Sequence, residues 1–279
     1  MNAQTPYGEF ETAWCPGCGN FSIRKAVVAA LTELALPPHK VVFSSGIGQA
    51  AKAPHYIRVN VFNGLHGRSL PAATGIKLAN PELAVFAESG DGCSYGEGGN
   101  HFLAAIRRNI DITYIVHDNL IYGLTKGQAS PTTPKGQKTK TQPHGAPSQP
   151  FNPLAVAVTM GAGFVARGFA GDIEHLAGLI VAAARHPGFS LIDVLQPCVS
   201  FNKVNTFAWY KERCYRLGND HDSADRHAAL EKALEWGDTI PIGILWKSDR
   251  PPFGPIPKAP LAAAEPDMAV LGDILKSYE

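Results

Sequence analysis

An excess of charge of either sign is what this sequence most clearly lacks. Its 25 basic and 24 acidic residues nearly cancel, which argues against a nucleic-acid footprint and against a basic membrane-binding surface. Charged residues make up only 18% of the chain, a low share for a monomer that points to contact between subunits. No apolar run reaches membrane-spanning length, and Met1 to Thr12 has no apolar core of signal-peptide length. The chain is therefore expected to be cytoplasmic, with no membrane partner. Cysteine is scarce. Five residues in a cytoplasmic chain are expected to be thiols or metal ligands rather than disulfides. There is no internal repeat. Nor does any Gly-x-Gly-x-x-Gly open a helix with an acidic residue at the right distance, which argues against a plain dinucleotide-binding dehydrogenase.

What is present is an alternation of short apolar runs and amphipathic stretches. Hydrophobic residues are 45% of the 279, enough for a sizeable core. The patterns predict a helix from Phe21 to Leu36, stopped by Pro37-Pro38, and strands from Lys40 to Ser45 and Val59 to Phe62. A helix from Leu70 to Ala79, a strand from Leu83 to Ala87, a helix from His101 to Arg108 and a strand from Ile112 to Val116 follow. From Thr125 to Asn152 the chain is polar and aperiodic; a loop this long inside a compact domain is functional or disordered. Regular structure resumes with a helix at Pro153, a strand from Phe164 to Arg167, a helix from Ile173 to Arg185 and a strand from Ser190 to Leu195. Beyond Phe201, Trp209 to Leu217 and Ser223 to Trp236 read as exposed helices, and Pro241 to Trp246 as an edge strand. Pro251 to Pro260 is too proline-rich for regular structure. The expected fold is α/β: a doubly wound, mostly parallel sheet with right-handed crossovers over residues 1–200. Residues 201–279 form a C-terminal extension packing on that domain or on a partner subunit.

Gly90-Asp91-Gly92 organises the chain. It follows one apolar run and precedes a helix, so Asp91 stands at the carboxyl end of a strand, where open α/β sheets place ligands. Asn119 closes the next run, and the Ile121 carbonyl lies one short turn beyond. A carboxylate, an amide oxygen and a carbonyl suit a hard divalent cation that already carries phosphate oxygens. The glycines let backbone N–H groups approach those phosphates. Asp-Gly is also turn chemistry, and an aspartate can simply cap a helix; the second strand end favours the ion site. Cys15 and Cys18, as Cys-x-x-Cys on a Gly/Pro-rich loop, read as a redox pair or as metal ligands. Alone, His66 is a loop histidine, and Lys52 and Lys126 are solvated lysines.

Six stretches together carry a resemblance: Trp14-Cys-Pro-Gly-Cys-Gly, Ser45-Gly-Ile-Gly, His66-Gly-Arg-Ser-Leu-Pro-Ala-Ala-Thr-Gly, Gly90-Asp-Gly, Asp118-Asn-Leu-Ile-Tyr-Gly-Leu-Thr-Lys-Gly-Gln-Ala-Ser-Pro-Thr and Gln196-Pro-Cys. In order and spacing they resemble the β subunit of 2-oxoacid:ferredoxin oxidoreductases, and the Tyr122-Gly-Leu-Thr-Lys-Gly-Gln version of the loop resembles the 2-oxoglutarate or broad-specificity branch. The resemblance implies thiamine diphosphate and Mg2+, with Asp91, Asn119 and the Ile121 carbonyl as magnesium ligands. Ile47, Gly48, His66, Gly67, Gly90, Gly92, Cys93, Gly123, Leu124 and Thr125 match positions around the cofactor. Lys52, Leu124 and Lys126 match positions near the substrate, where a cation suits the distal carboxylate of 2-oxoglutarate. Family members hold an iron–sulfur cluster of the 4Fe-4S type on four cysteines. Here Cys15, Cys18 and Cys198 match, and Gln49 stands at the fourth position. Three thiolates with a foreign fourth ligand imply a cluster of altered potential or greater lability. Cys93 and Cys214 match no cluster position and read as small buried thiols.

The implied function is CoA-dependent oxidative decarboxylation of a 2-oxoacid, with electrons passed to ferredoxin. The family's cofactor-activating glutamate and pyrimidine-binding half lie on a separate α subunit, so an αβ or α2β2 assembly is expected and this chain should be inactive alone. Two rivals remain: a non-oxidative thiamine-dependent decarboxylase or carboligase subunit, and a non-catalytic assembly subunit with a degenerate cluster site.

Overall fold

The computed structural model describes residues 6–254 and 268–277. Eight strands form one sheet in the order β2-β1-β3-β4-β6-β5-β8-β7. These are β1 (Val41–Ser45), β2 (Asn60–Asn63), β3 (Ala84–Gly90), β4 (Ile112–Asp118), β5 (Phe164–Phe169), β6 (Phe189–Leu195), β7 (Cys214–Arg216) and β8 (Ile240–Lys247). All pairings are parallel except that of β5 with β8. The central strands β4, β5 and β6 are buried along their whole lengths, which is why they read as near-continuous apolar runs. The expected doubly wound parallel sheet is the one found.

Helices cover both faces. α1 (Gly19–Glu33) and α5 (Ile173–Arg185) bury Ile23, Val27, Leu31, Leu176 and Ile180 against Phe43, Phe86, Ile115 and Ile192 on one side. On the other, α2 (Ser69–Ala79), α3 (Gly99–Arg108), α4 (Pro153–Thr159) and α7 (Arg226–Leu234) pack Leu70, Phe102, Ile106, Leu154 and Ala229 on Val85, Tyr114, Val116 and Leu191. β4 shows the period of two directly: Tyr114 and Val116 face one layer and Ile115 the other. Caps set several boundaries: Asn152 Oδ1 accepts from Ala155 N–H at 2.9 Å ahead of Pro153, and Asp172 accepts from His175 N–H.

Beyond Phe201 the chain differs from expectation in two places. The helix expected from Trp209 to Leu217 is α6 (Phe207–Arg213), and Cys214–Arg216 turns into β7. Those residues pair with Ile240, Pro241 and Ile242, a non-local partner that local helical spacing does not register. Pro241 to Trp246 is not an edge: β8 lies between β5 and β7. Its proline is tolerated near the strand start, where a missing N–H costs little. A final helix, α8 (Met268–Lys276), closes the described residues. The proline-rich stretch from Pro251 to Pro260 leaves the described residues after Gly254. Among the described residues no helix is long and apolar enough to cross a membrane.

Candidate active site

β1 is followed through β2 on one side and by β3 on the other, so the carboxyl ends of β1 and β3 form a topological switch point. A crevice opens there for a ligand. A cavity lies in that crevice. Lining it are Ile47 and Gly48 after β1; Gly90, Asp91, Gly92 and Cys93 after β3; and Asn119, Ile121, Gly123, Leu124 and Thr125 after β4. His66 lines it as well, as do Cys15, Cys18, Gln49 and Cys198. Residues from six separate motifs thus share one space. Lys52 and Lys126 do not line it; Lys52 sits in a short 3-10 helix (Ala50–Tyr56), and Lys126 is exposed with φ +76°.

Gly90 pairs with His117 across β3 and β4, so Asp91 and Asp118 leave adjacent strands at the same level. Thr132 Oγ1 lies 2.7 Å from Asp91 Oδ2 and 2.7 Å from Asp118 Oδ1. A single hydroxyl hydrogen serves only one of these carboxylates at a time. Asp193, opposite Val116 on β6, accepts from Tyr95 Oη at 2.6 Å. Burial raises the Asp91 carboxyl to about 6 and the Asp193 carboxyl to about 7. It pushes Asp118 well up, with Asp193 and Asp91 adding repulsion. Among the described residues, no basic side chain forms an ion pair with Asp91. A buried carboxylate without a counter-charge, at the rim of a cavity with glycine on either side, is chemically suited to a cation. Among the described residues no group of three His, Cys, Asp or Glu side chains is arranged to hold a metal ion.

Glu97 organises the adjacent wall. His66 Nδ1 lies 3.0 Å from Glu97 Oε2, and Tyr122 Oη donates to the same oxygen at 3.3 Å. Gly67 N–H donates to Cys93 Sγ at 3.1 Å, and Ile47 N–H reaches that sulfur at 3.5 Å. Cys93 is therefore a buried acceptor that ties three loops together. Gly67 has φ +74°, and a Cβ there would lie 2.5 Å from the Glu97 carbonyl carbon. Gly67→Ala is expected to cost about 1–3 kcal/mol, because the obstacle is backbone and the conformation is left-handed. Thermal denaturation of the purified variant checks it.

The cysteine loop, which lines the same cavity, is pinned to the end of β6. Gly19 N–H donates to Pro197 O at 3.3 Å, and Gln196 Nε2 donates to Cys18 Sγ at 3.5 Å, which brings Cys18 beside the Pro197-Cys198 turn. Burial raises the Cys18 thiol to about 11, with Cys198 and Cys15 opposing ionisation further. His117, fully buried, bridges Glu88 Oε1 at 2.7 Å and Asn20 Oδ1 at 2.8 Å and so anchors the start of α1 to the sheet. Gln49 joins the group through its carbonyl, which accepts from Trp14 Nε1 at 2.8 Å. Its side-chain oxygen is buried and has no hydrogen-bond partner.

Residues 42–194 match the family described as "Thiamine pyrophosphate enzyme, C-terminal TPP binding domain". Residues 198–256 match the family of the C-terminal region of the pyruvate ferredoxin oxidoreductase β chain. The 2-oxoacid:ferredoxin oxidoreductase subunit beta of a Sulfolobus species is 47% identical over 252 residues, 86% of this chain and 83% of that one. The chain belongs to the β subunits of the 2-oxoacid:ferredoxin oxidoreductases. A 2-oxoglutarate oxidoreductase subunit KorB from Mycobacterium tuberculosis is 43% identical over 72% of this chain and 54% of its own length. Among solved structures, a 2-oxoglutarate:ferredoxin oxidoreductase from Magnetococcus marinus, with 2-oxoglutarate, coenzyme A and succinyl-CoA bound, superposes with a TM-score of 0.87. It is 36% identical, covering 99% of this chain and 92% of that one.

In this β subunit the residues that sequence reasoning missed lie in the long loop and on β6. Thr132 sits in the Ser-Pro-Thr tail of a motif already singled out, yet no role attached to it. Its contact with Asp91 spans 41 positions. Asp193 is hidden in the apolar run of β6, where a buried charge was the available signal. The loop is ordered: Phe151 N–H donates to Pro131 O at 2.8 Å, Gly136 N–H to Ala146 O at 2.8 Å, and Ser130, Thr132 and Thr133 are buried. Leu120, with φ +60°, is held by Thr133 Oγ1 on its carbonyl at 2.6 Å. That contact fixes the turn between Asn119 and Ile121.

Proposed function

We propose that this β subunit holds Mg2+ and thiamine diphosphate for the oxidative decarboxylation of 2-oxoglutarate to succinyl-CoA and carbon dioxide. Cys15, Cys18 and Cys198 would hold an iron–sulfur cluster, which would supply a one-electron exit toward ferredoxin. One observation carries this reading: a single cavity at the switch point is lined by Asp91, Asn119 and Ile121 and also by Cys15, Cys18 and Cys198. When bound, thiamine diphosphate supplies the nucleophilic carbon and the electron sink that 2-oxoacid decarboxylation needs.

The chain's own residues position and balance charge. Asp91, Asn119 Oδ1 and the Ile121 carbonyl would hold the magnesium, whose charge offsets the buried carboxylates that now repel one another. Asn119 Oδ1 already accepts from Ile121 N–H at 3.1 Å, so its orientation is set in advance. Glu97 lies beside Nδ1 of His66, a carboxylate partner for the imidazolium, and in that form Nε2 would donate to a diphosphate oxygen. Gly48 and Gly123 have open space where a Cβ would stand, which allows backbone to approach a ligand. Ile47, Leu124 and Phe201, each exposed by more than a third at the cavity mouth, fit closure by an α subunit that excludes water from the site. The distal carboxylate of 2-oxoglutarate requires a cation. Lys52, one turn past Gln49, would be this chain's contribution by reaching toward a cavity whose wall it does not line. The bound 2-oxoglutarate of the Magnetococcus structure and the names of the KorB relatives support the choice of substrate.

A pH dependence follows from Asp91. Burial raises its carboxyl to about 6, and magnesium requires the ionised form. Affinity for Mg2+ with thiamine diphosphate is therefore expected to rise with pH up to about 6, with proton release below that value, and to level off above it. Calorimetry in two buffers of different ionisation enthalpy measures the released protons.

The function itself is tested by producing the chain anaerobically with its α subunit and following acceptor reduction. Turnover dependent on 2-oxoglutarate, coenzyme A and ferredoxin is expected. Decarboxylation that needs neither coenzyme A nor an electron acceptor would identify the non-oxidative rival instead. An assembled complex without thiamine diphosphate would identify the assembly subunit.

A further inference from the structure

We propose that Gln49 Oε1 is the fourth protein ligand of the iron–sulfur cluster, so that one iron is held by an amide oxygen and is selectively removable. This rests on the reading of Cys15, Cys18 and Cys198 as cluster ligands; what it adds is the identity and consequence of the fourth. Gln49 lines the same cavity as the three thiols, and its side-chain oxygen is buried without a hydrogen-bond donor. Leaving such an oxygen unpaired costs about 1–3 kcal/mol, a penalty that coordination removes. The Gln49 backbone is also held in place. Trp14 Nε1 fixes the Gln49 carbonyl at 2.8 Å, Trp14 packs edge-on against Phe21 and Tyr56, and Cys15 is the next residue in the chain. One tryptophan thus sets the Cys-x-x-Cys loop and Gln49 relative to each other.

A second glutamine stands nearby and has a different task. Gln196 also keeps a buried, unpaired Oε1. Its amide nitrogen, however, donates to Cys18 Sγ at 3.5 Å and to Pro197 O at 3.0 Å, which makes it an N–H···S donor anchored to a ligand. Such a donor orients and tunes the sulfur it touches. Gln49 makes no comparable side-chain bond among the described residues. Only its oxygen is left for the metal.

The chemical consequence is an asymmetric cluster. A neutral amide oxygen is harder and a weaker donor to iron than a thiolate, and it leaves the cluster with one negative charge fewer. The iron it holds is the one to leave on oxidation. The step balances as [4Fe-4S]2+ losing one electron to an added one-electron oxidant and releasing Fe2+, to leave [3Fe-4S]+. No sulfide is lost and no cysteine is consumed.

The test uses the αβ complex, purified anaerobically, as wild type, Gln49→Cys and Gln49→Ala. Each is treated with ferricyanide, desalted, assayed for iron and sulfide, and examined by low-temperature EPR. Wild type is expected to fall from about four irons per chain to about three, with sulfide unchanged and the signal of an oxidised three-iron cluster. Ferrous ion with a reductant restores it. Gln49→Cys keeps about four irons and gives no such signal, whereas Gln49→Ala is already in the three-iron form as isolated. Wild type holding all its iron as firmly as Gln49→Cys, or Gln49→Ala behaving as wild type, would overturn the assignment of Gln49 and leave the three cysteines in place. Iron in Gln49→Cys but none in wild type overturns it in the same way. Absence of iron and sulfide from wild type and Gln49→Cys alike overturns the cluster reading beneath it.

Discussion

Asp91→Asn is expected to lower turnover of the assembled enzyme by more than about 100-fold, because even the partners behind a metal ligand are worth about 10–100-fold. The substitution keeps shape and removes charge. The Asp91 carboxyl is buried, lies 2.7 Å from the Thr132 hydroxyl, and shares that hydroxyl with Asp118. In the empty site the lost charge was a repulsive one, since burial and Asp91 both push the Asp118 carboxyl up. The variant without cofactor is therefore expected to melt no lower than wild type. The stabilisation that Mg2+ with thiamine diphosphate gives the wild-type chain is expected to vanish with it. Turnover assays and thermal melts with and without the cofactor read both halves. A variant that lost activity and also lost several degrees without cofactor would make Asp91 a structural residue.

Arg167→Ala carries the largest expected loss of stability. Arg167 stands opposite Asp193 on adjacent strands and is buried. Its Nη2 donates to Ala233 O at 3.0 Å and its Nη1 to Pro241 O at 3.2 Å, so it satisfies one carbonyl at the end of α7 and one on β8. It is also the positive charge that opposes the raised Asp193 carboxyl. Removing one member of a buried charge arrangement costs about 3–5 kcal/mol, on the order of 10 °C in Tm for a chain of this size. The pH dependence has a definite sign. The folded Asp193 carboxyl titrates near 7, above its unfolded value of about 4. The folded state thus binds the proton more tightly, and stability falls as pH rises from about 4 to about 7. Without Arg167 that carboxyl moves higher still, so the gap in Tm between variant and wild type is expected to be wider at pH 8 than at pH 5. An equal gap at both pH values would mean that Arg167 acts only through the carbonyls of α7 and β8.

Much of this molecule was legible because its decisive units are local. A strand running into Gly90-Asp91-Gly92, and a second strand ending at Asn119, are contiguous patterns. Parallel register then brings their ends level, with Gly90 opposite His117. The cysteine positions were legible as motifs, and Gln49 as a departure from one. What was not legible depends on distant partners. β7 is a strand only because Ile240 to Ile242 lie beside it, and β8 is interior only because β7 covers it. Thr132 reaches Asp91 through a loop without periodicity, and its burial comes from hydrogen bonds within that loop. Lys52 and Lys126 could be numbered from the sequence, but where their side chains point is set by a 3-10 turn and a left-handed residue.

The most direct measurement is the thiamine diphosphate and magnesium content of the αβ complex after anaerobic purification, for wild type and Asp91→Asn. About one of each per β chain is expected in wild type, both removed by a chelator, and neither retained by Asp91→Asn. Full occupancy in Asp91→Asn, or an active wild-type complex containing no thiamine diphosphate, would contradict the assignment of the switch-point cavity.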